Sequence, residues 1–400
     1  MRIAVLAHMH HAIRSPYLGG LEMHTDLLVD YLVRRGHEVT VFAKEGTRTA
    51  GTVVPLVPEH VDPTVRCPQD AVRLREILYA AMSSASLQIL ASDVDVVLNN
   101  SLSPVPLQQL RAVPMLTVLH TPATLTEVLQ VVDEPDWAPP PHHRWVSVSA
   151  ANALAWRHRL PRIAVVHNGL ELDRWSSTTQ PVPGRAVWTG RIIEEKGLHV
   201  AINAARQAGM DLHFAGPVSD HDYFRRAVEP LLGADTVYRG HLNHLQLPDL
   251  LASGEVYLAT PLWAEPFGLA TVEAMSMGTP VAALLNGAMG EVVGPSAGHL
   301  AEHHTANALA QAIDQARRKP RPGVIAWSRR FSADLMVDAY LGLLRDVAER
   351  AGTLTGVGAG AGWTPRGDVL TAENRGGIDA PRTGLDEGRH PAIRTVETDA

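Results

Sequence analysis

The chain opens with short apolar segments that alternate with amphipathic ones. Residues 3–7 form an apolar run of the kind that is buried on both faces of a parallel sheet. After a glycine-containing loop, residues 21–35 show helical periodicity, and Gly36 follows in the position that commonly closes a helix. Residues 38–42 are again typical of a strand. This order predicts a β-loop-α-β unit of the doubly wound type.

The same alternation continues through two successive halves. In the first half we predict a helix over 71–91 and four further strands, at 94–98, 115–119, 145–148 and 163–166. Residues 175–184 are rich in Ser, Thr, Gln and Pro, which indicates a linker. In the second half we predict helices over 198–208 and 268–277, with strands at 186–188, 212–215, 256–259 and 280–284. We therefore expect two α/β domains, over residues 1–175 and 182–330.

The pattern of hydrophobic and polar residues changes twice near the end of the chain. The hydrophobic pattern of residues 331–350 predicts a last amphipathic helix. Its expected apolar face consists of Leu335, Met336, Tyr340, Leu343 and Leu344. From residue 352 the hydrophobic periodicity disappears, and ten of the final 49 residues are glycine. Such a segment buries too little surface to offset its chain entropy. We predict that residues 352–400 form a disordered tail.

The amino-acid composition and the net charge exclude several classes of protein. With 400 residues and 46% hydrophobic side chains, the chain is large enough for two packed cores. Its single cysteine, Cys67, excludes a disulfide scaffold. A net charge of −7 gives no support to nucleic acid binding. No apolar run reaches the roughly 20 residues that a membrane-spanning helix needs, so we expect a cytoplasmic protein without a transmembrane segment.

The 20 histidines raise the question of a metal site. His10 and His11 follow the first strand directly, in the run His8-Met9-His10-His11. None of the histidine pairs lies in a carboxylate-rich or thiol-rich context, so we expect no metal and no cofactor. The same run replaces the G-x-G-x-x-G sequence of a dinucleotide fold, which argues against an NAD-dependent dehydrogenase.

Two stretches of the second half carry candidate chemistry. Glu265 and Glu273 flank the start of a predicted helix, where the amides of Phe267, Gly268 and Leu269 would be free to bind an anion or a hydroxyl oxygen. Taken alone, this pair also fits an ordinary helix start with two solvent-facing acids.

The second stretch follows a predicted strand. Arg191 and Lys196 would emerge at the carboxyl edge of the sheet, the edge at which open α/β folds bind ligands. One planar bidentate cation and one point charge suit a diphosphate. A solvated surface pair is the alternative for this stretch alone.

Taken together, these stretches resemble the retaining nucleotide-sugar glycosyltransferases of family four. The resemblance rests on Gly190-Arg191, Lys196-Gly197, Glu265-Pro266-Phe267-Gly268, Glu273-Ala274 and Gly278-Thr279-Pro280-Val281, with Gly19-Gly20-Leu21-Glu22 near the amino terminus. His167 stands where a proline is commoner, and the glycine turn before Glu291 departs from the usual pair. The resemblance covers about residues 1–350. It implies a GT-B fold: two Rossmann-like domains that face each other across a cleft, with the last helix returning to the first domain.

The resemblance also implies roles for particular residues. Arg191 and Lys196 would hold the donor diphosphate and stabilise the leaving group, Glu273 would bind the ribose, and Glu265 with the amides of 267–269 would hold the donor sugar. Gly19, Gly20 and Gly190 would let the backbone approach the donor. Gly240 and His241 would form a turn that contacts the base. His120, at the end of a predicted strand, would position the donor sugar, although a lone histidine there can also be purely structural.

The expected activity is the retaining transfer of a hexose from a nucleotide-diphosphate sugar, such as a UDP or GDP sugar, to a hydroxyl acceptor. The acceptor, a small molecule or glycan, would lie on the first domain, with His10 and His11 as candidate contacts. Another GT-B enzyme (an epimerase or a phosphorylase) and a non-catalytic nucleotide-sugar-binding protein remain as alternatives. The sequence leaves the sugar, the base, the acceptor and the oligomeric state open.

Overall fold

A computed structural model describes residues 1–352 of the protein, so the predicted tail lies outside the described residues apart from Gly352. The described chain contains two sheets whose paired strands are all parallel. Alternate residues of the first strand belong to two separate hydrophobic clusters: Ile3 and Val5 to one, Ala4 and Leu6 to the other. Both faces of the sheet are therefore covered, which explains why its strands are nearly continuous apolar runs.

The first sheet has seven strands in the order β3-β2-β1-β4-β5-β6-β7. The strands are β1 Arg2–Leu6, β2 Glu38–Lys44, β3 Thr52–Val57, β4 Val96–Asn99, β5 Met115–Leu119, β6 His143–Ser147 and β7 Ile163–Val165. The strand order reverses direction between β1 and β4. A crevice opens at the carboxyl ends of such neighbouring strands, because their connections leave on opposite faces of the sheet.

The second sheet has six strands in the order β10-β9-β8-β11-β12-β13. They are β8 Arg185–Thr189, β9 Asp211–Ala215, β10 Thr236–Tyr238, β11 Val256–Ala259, β12 Val281–Leu284 and β13 Gly298–Ala301. Its order reverses between β8 and β11, so the second crevice lies at their carboxyl ends. No regular helix or strand is described between residues 176 and 184, the segment predicted as a linker.

Thirteen α-helices connect and flank the described strands. They are α1 Gly20–Arg34, α2 Pro68–Leu90, α3 Val105–Gln109, α4 Thr126–Val132, α5 Ala150–Trp156, α6 Leu198–Gln207, α7 His221–Tyr223, α8 Leu247–Ser253, α9 Leu269–Ser276, α10 Met289–Val292, α11 Ala306–Ala316, α12 Arg321–Ser328 and α13 Ala333–Arg350. Short 3-10 turns lie at Leu172–Arg174, Glu194–Lys196, Glu229–Leu231 and Arg329–Phe331, and a π turn at Phe224–Val228. No helix in residues 1–352 combines the length and the apolar character that crossing a membrane requires.

Helix α13 packs on the first domain although it follows the second in sequence. It contacts α1, β4 and β5, and Arg35 of the first domain pairs with Asp334 and Asp338 on its exposed side. Backbone hydrogen bonds of 2.9 Å and 2.8 Å join Leu170 to Phe331 and Ala333 at the point of return. The expected return of the last helix is confirmed.

The prediction of the apolar face of α13 is wrong at one residue, Leu335. Leu335 is 51% exposed, whereas Met336, Tyr340 and Leu344 are buried. These three residues recur every four positions, and Leu335 lies about 100° around the helix from Met336. Hydrophobicity alone did not indicate which of the two neighbouring side chains faces the core.

A carboxylate of the second domain joins the two domains. The two carboxylate oxygens of Glu291, in α10, accept hydrogen bonds of 2.9 Å from the backbone N–H groups of Ala150 and Ala151 at the start of α5. The Nε2 atom of His167 lies 3.0 Å from the same carboxylate. His167, which replaces the proline common in the family, therefore makes a polar contact that proline cannot make.

We expect Glu291→Gln to lower the free energy of unfolding by about 1–2 kcal/mol at pH 7, because the amide loses the charge and places an NH₂ group where two N–H donors need an acceptor. Urea denaturation measures the effect. Glu302→Gln, at an exposed position of the same domain, is the matched control and should change stability by less than about 0.5 kcal/mol. Equal effects of the two substitutions would show that the contact between the domains contributes no stability.

Candidate active site

The carboxyl edges of the two sheets face a common cleft of about 780 Å³. The crevice between β1 and β4 forms one side, and the crevice between β8 and β11 forms the other. Most of the residues singled out in the sequence line this cleft: Gly19, Gly20, His11, His120, Gly190, Arg191, Lys196, His241, Glu265, Phe267, Gly268, Leu269 and Glu273. The topology therefore assembles residues that are up to 262 positions apart in the chain, from His11 to Glu273.

Lys196 is held in place by two partners. Its Nζ atom lies 2.5 Å from Oε2 of Glu265 and 5.2 Å from the centre of the Trp263 ring. The indole Nε1–H of Trp263 donates to the same oxygen at 2.8 Å. The turn that carries Lys196 reaches this position because Gly197 follows it: a Cβ there would lie 2.3 Å from the carbonyl oxygen of Thr260. The ammonium is thus positioned before any ligand arrives.

Arg191 has more freedom than Lys196. Its side chain is 48% exposed, and its guanidinium lies 3.7 Å from Glu195 one turn further on. An exposed pair at this distance adds little stability, so the guanidinium can leave Glu195 for a stronger anion. Arg191 and Lys196 together provide one mobile and one fixed cation on the same wall.

The start of α9 supplies hydrogen-bond donors. Gly268 precedes the helix with a φ of +91°, and the first amides of a helix have no acceptor within it. The Phe267 ring packs 5.6 Å from the Phe331 ring and 5.8 Å from the His167 ring, so Phe267 offers the cleft mainly its backbone. Positive charge from the helix dipole favours an anion or a hydroxyl oxygen at this point.

The loop that carries Glu265 is shaped by a glycine of the next loop. Gly287 has a φ of +55°, and a Cβ there would lie 2.3 Å from both the backbone nitrogen and the backbone oxygen of Glu265. The N–H of Ala288 donates to that oxygen at 2.8 Å. Because only glycine fits at position 287, the two loops pack closely and the backbone of Glu265 is fixed.

Glu273 is the most deeply buried carboxylate on this wall. It lies in the second turn of α9 and is 8% exposed. Burial raises the pKa of Glu273 from 4.5 to about 7, because the interior disfavours the charged form. A buried acid without a compensating cation is costly, and this is the environment expected of a ligand-binding carboxylate.

The glycines of the first domain meet helix α9 of the second domain across the cleft. Gly19 and Gly20 stand at the start of α1, and a Cβ on Gly20 would lie 2.8 Å from Cδ1 of Leu269. Any side chain at position 20 would therefore push against α9. The two domains are therefore in close contact at this point of the cleft.

His120 follows β5 and is held from two sides. Its Nε2 lies 3.1 Å from Oδ1 of Asn100, and its ring lies 4.9 Å from the ring of His24 in an edge-to-face contact. Burial, with a smaller contribution from the charge of His24, keeps the pKa of His120 well below its usual value. His120 is therefore a neutral, oriented hydrogen-bonding group.

The histidine run after β1 divides into two kinds of residue. His8 and His11 line the cleft, whereas His10 stacks on His8 at 4.3 Å and is not among the described lining residues. The sequence pattern did not distinguish His8, which lines the cleft, from His10, which does not appear among the described lining residues. Within residues 1–352, no three His, Cys, Asp or Glu side chains converge to form a metal site.

The predicted base-contacting turn is only partly in the cleft. His241 lines it, whereas Gly240 is not among the described lining residues and accepts a 2.9 Å hydrogen bond from the N–H of Gly216 through its carbonyl. Sequence reasoning missed Trp263, Asn100 and His24. Asn100 is the second residue after the predicted strand 94–98, a position that could have identified it; the other two gave no such signal.

Two α/β domains, each built on a parallel sheet and facing a shared cleft, define the GT-B class of fold. A family profile described as "Glycosyltransferase Family 4" matches residues 18–174, and one described as "Glycosyl transferases group 1" matches residues 172–322. Together the two profiles span residues 18–322, so this part of the chain belongs to the glycosyltransferases that they describe.

Three known proteins are similar to all or part of this chain. A "Glycogen synthase" from Mycobacterium tuberculosis is 32% identical over 143 residues, which are 34% of each chain. A "D-inositol 3-phosphate glycosyltransferase" from Mycobacterium bovis is 30% identical over 246 residues, 52% of this chain and 51% of that protein. The alignments thus span about a third to a half of these relatives' lengths. The structure of Anabaena HepE in complex with UDP and glucose is 18% identical with a TM-score of 0.64, and the match covers 88% of this chain and 100% of that one.

Proposed function

We propose that the protein is a retaining glycosyltransferase that moves a hexose from a nucleotide-diphosphate sugar to a hydroxyl acceptor. One observation carries the proposal: Arg191, Lys196, the first amides of α9 and the buried Glu273 line one side of a single cleft. Cations for a diphosphate, donors for sugar oxygens and a carboxylate for ribose hydroxyls are the groups that such a donor requires.

In this proposal the protein acts chiefly through electrostatics. The bond between the anomeric carbon and the phosphate oxygen breaks, and negative charge develops on the departing diphosphate. Lys196 and Arg191 stabilise that charge, and the helix dipole of α9 adds to their field. Because these groups supply positive charge themselves, the proposed reaction uses no metal and no cofactor.

The acceptor hydroxyl attacks from the face that the diphosphate leaves. Its oxygen forms the new bond to the anomeric carbon, and its proton passes to the departing phosphate oxygen. The configuration at the anomeric carbon is therefore retained. His120 and Glu265 hold the sugar in position and need not transfer a proton themselves.

The donor and the compartment are also part of the proposal. HepE was solved with UDP and glucose, so UDP-glucose is the first donor to test, with GDP sugars next. We place the reaction in the cytoplasm, in keeping with Cys67 as an exposed free thiol.

A thermal-shift series with UDP, GDP, ADP and dTDP sugars tests donor binding. We expect one nucleotide to raise the melting temperature by several degrees at saturation, because a ligand that binds only the folded state stabilises it. The diphosphate should stabilise more than the corresponding monophosphate, since the terminal phosphate is the group that reaches Arg191 and Lys196. Equal shifts from mono- and diphosphate would contradict this assignment.

Turnover separates the proposal from its alternatives. Release of nucleoside diphosphate that depends on an acceptor distinguishes transfer from epimerisation and from phosphorolysis. Proton NMR of the product shows whether the anomeric configuration of the donor is kept. Tight donor binding without turnover on any acceptor would favour a non-catalytic binding protein.

A further inference from the structure

The two walls of the cleft differ in charge. Among the described lining residues the permanent cations are Arg191 and Lys196, and both belong to the second domain. The wall of the first domain carries one carboxylate and three imidazoles, which belong to Glu22, His8, His11 and His120. The acceptor side of the cleft therefore offers hydrogen bonds and negative charge.

Glu22 is placed as a binding group. It lies in the first turn of α1, lines the cleft and is 5% exposed. The carboxylate packs so closely on the preceding loop that a Cβ on Gly19 would lie 2.9 Å from its Oε2. Nδ1 of His8 lies 3.6 Å from Oε1, which is slightly too far for a direct hydrogen bond, and this nitrogen has no other partner within residues 1–352. Nδ1 itself is buried, so a ligand in the cleft would contact the carboxylate of Glu22 and the exposed part of the His8 ring.

Glu22 remains ionised at neutral pH although it is buried. Burial raises its pKa, but the neighbouring His8 and the N–H of Glu22 itself lower it further, and the net shift is downward. Burial lowers the pKa of His11, with smaller lowering contributions from His8, Lys44 and Arg191, and burial also lowers the pKa of His120, so neither of these two imidazoles supplies a cation at neutral pH. A phosphate ester on this wall would meet a desolvated carboxylate and no permanent cation of the first domain among the described lining residues.

We infer that the acceptor is a polyhydroxylated compound without a phosphate group, and that Glu22 and His8 bind one of its hydroxyl or amino groups. The inference rests on the proposed function, which assigns Arg191 and Lys196 to the donor diphosphate. With those two occupied, the described lining residues leave no permanent cation for an acceptor phosphate. A hydroxyl or an ammonium group complements a carboxylate directly.

A matched acceptor series tests the inference on the full chain. Glucose, glucosamine and glucose 6-phosphate are compared, as are myo-inositol and its monophosphates, with the donor that gives the largest thermal shift. Release of nucleoside diphosphate is the readout. We expect kcat/KM for the acceptors without phosphate to exceed that for their phosphate esters at least tenfold.

The Glu22→Gln variant tests whether Glu22 causes the preference for acceptors without a phosphate group. It should lower kcat/KM for glucosamine about tenfold and bring the ratio of unphosphorylated to phosphorylated acceptor within about threefold, while the donor Kd stays within about twofold. Glu76→Gln, at an exposed position on α2 of the same domain, is the control and should leave all values unchanged. The comparison of acceptors on the wild-type protein stands even if the Glu22 variant does not fold.

The outcomes are distinguishable. Phosphate esters as the preferred acceptors, or no release with any polyol while the donor still binds, would overturn the inference and leave the donor assignment intact. The same ratio of acceptors in Glu22→Gln as in the wild type would remove Glu22 from the acceptor site. Absence of donor binding would overturn the proposed function, and the inference with it.

Discussion

Lys196→Ala should reduce turnover about 30- to 1000-fold, which corresponds to roughly 2–4 kcal/mol of lost transition-state stabilisation. The ammonium is held by Glu265 and Trp263, so its charge is in place before the donor binds. Its interaction with the diphosphate strengthens as the leaving group becomes more negative. The loss should therefore be seen in kcat as well as in kcat/KM, measured by release of nucleoside diphosphate.

The chain offers a matched control for this substitution. Lys319, in the same domain and outside the described lining of the cleft, should tolerate alanine without change in turnover. Removing Lys196 also leaves Glu265 without its ion pair, so the melting temperature and the donor Kd of the variant are measured alongside its kinetics. Turnover of Lys196→Ala within threefold of the wild type would refute the assignment of the leaving-group contact.

The sheet strands were the most predictable part of the fold. Strand Met115–Leu119 and strand Val256–Ala259 have the predicted bounds, because a strand buried on both faces must be apolar throughout. The edge strands β3, β10 and β13 were missed. Their residues are partly exposed, so their composition does not differ from that of a loop.

The second-domain wall of the cleft was more predictable than the first-domain wall. Its residues form local motifs, such as Glu265 with Gly268 and Arg191 with Lys196, and each motif follows one strand. The first-domain wall joins single residues that follow β1 and β5 or lie in α1. His8 has no local signature, and Glu22 stood only at the end of the Gly19-Gly20-Leu21-Glu22 motif, where no role was assigned to it. Which of His8, His10 and His11 faces the cleft depends on the backbone path of the loop, and hydrophobic periodicity does not record that path.

Glu273→Gln should make the protein without ligand more stable at alkaline pH and a weaker donor binder. Burial raises the pKa of Glu273 from 4.5 to about 7, so the folded protein keeps a proton that the unfolded chain has already lost between these two pH values. Stability therefore falls as pH rises from about 4.5 and is lowest above pH 7. The full cost is about 3 kcal/mol, and the neutral amide avoids it.

The measurement is urea denaturation of both proteins at pH 5 and pH 8.5. The variant should gain up to about 3 kcal/mol over the wild type at the higher pH and little at the lower, whereas Glu302→Gln at the surface should show no such trend. A gain of the same size at both pH values would mean that the carboxyl group does not titrate on folding.

Donor binding should change in the opposite direction. In the proposed function Glu273 accepts hydrogen bonds from the ribose hydroxyls, and losing a charged acceptor costs about 1.5–3 kcal/mol, or more than tenfold in donor Kd. If both results are obtained, Glu273 lowers the stability of the protein without ligand and increases its affinity for the donor. Its role is then ligand binding and not stabilisation of the fold. If the variant is more stable but binds the donor as well as the wild type does, Glu273 does not contact the donor.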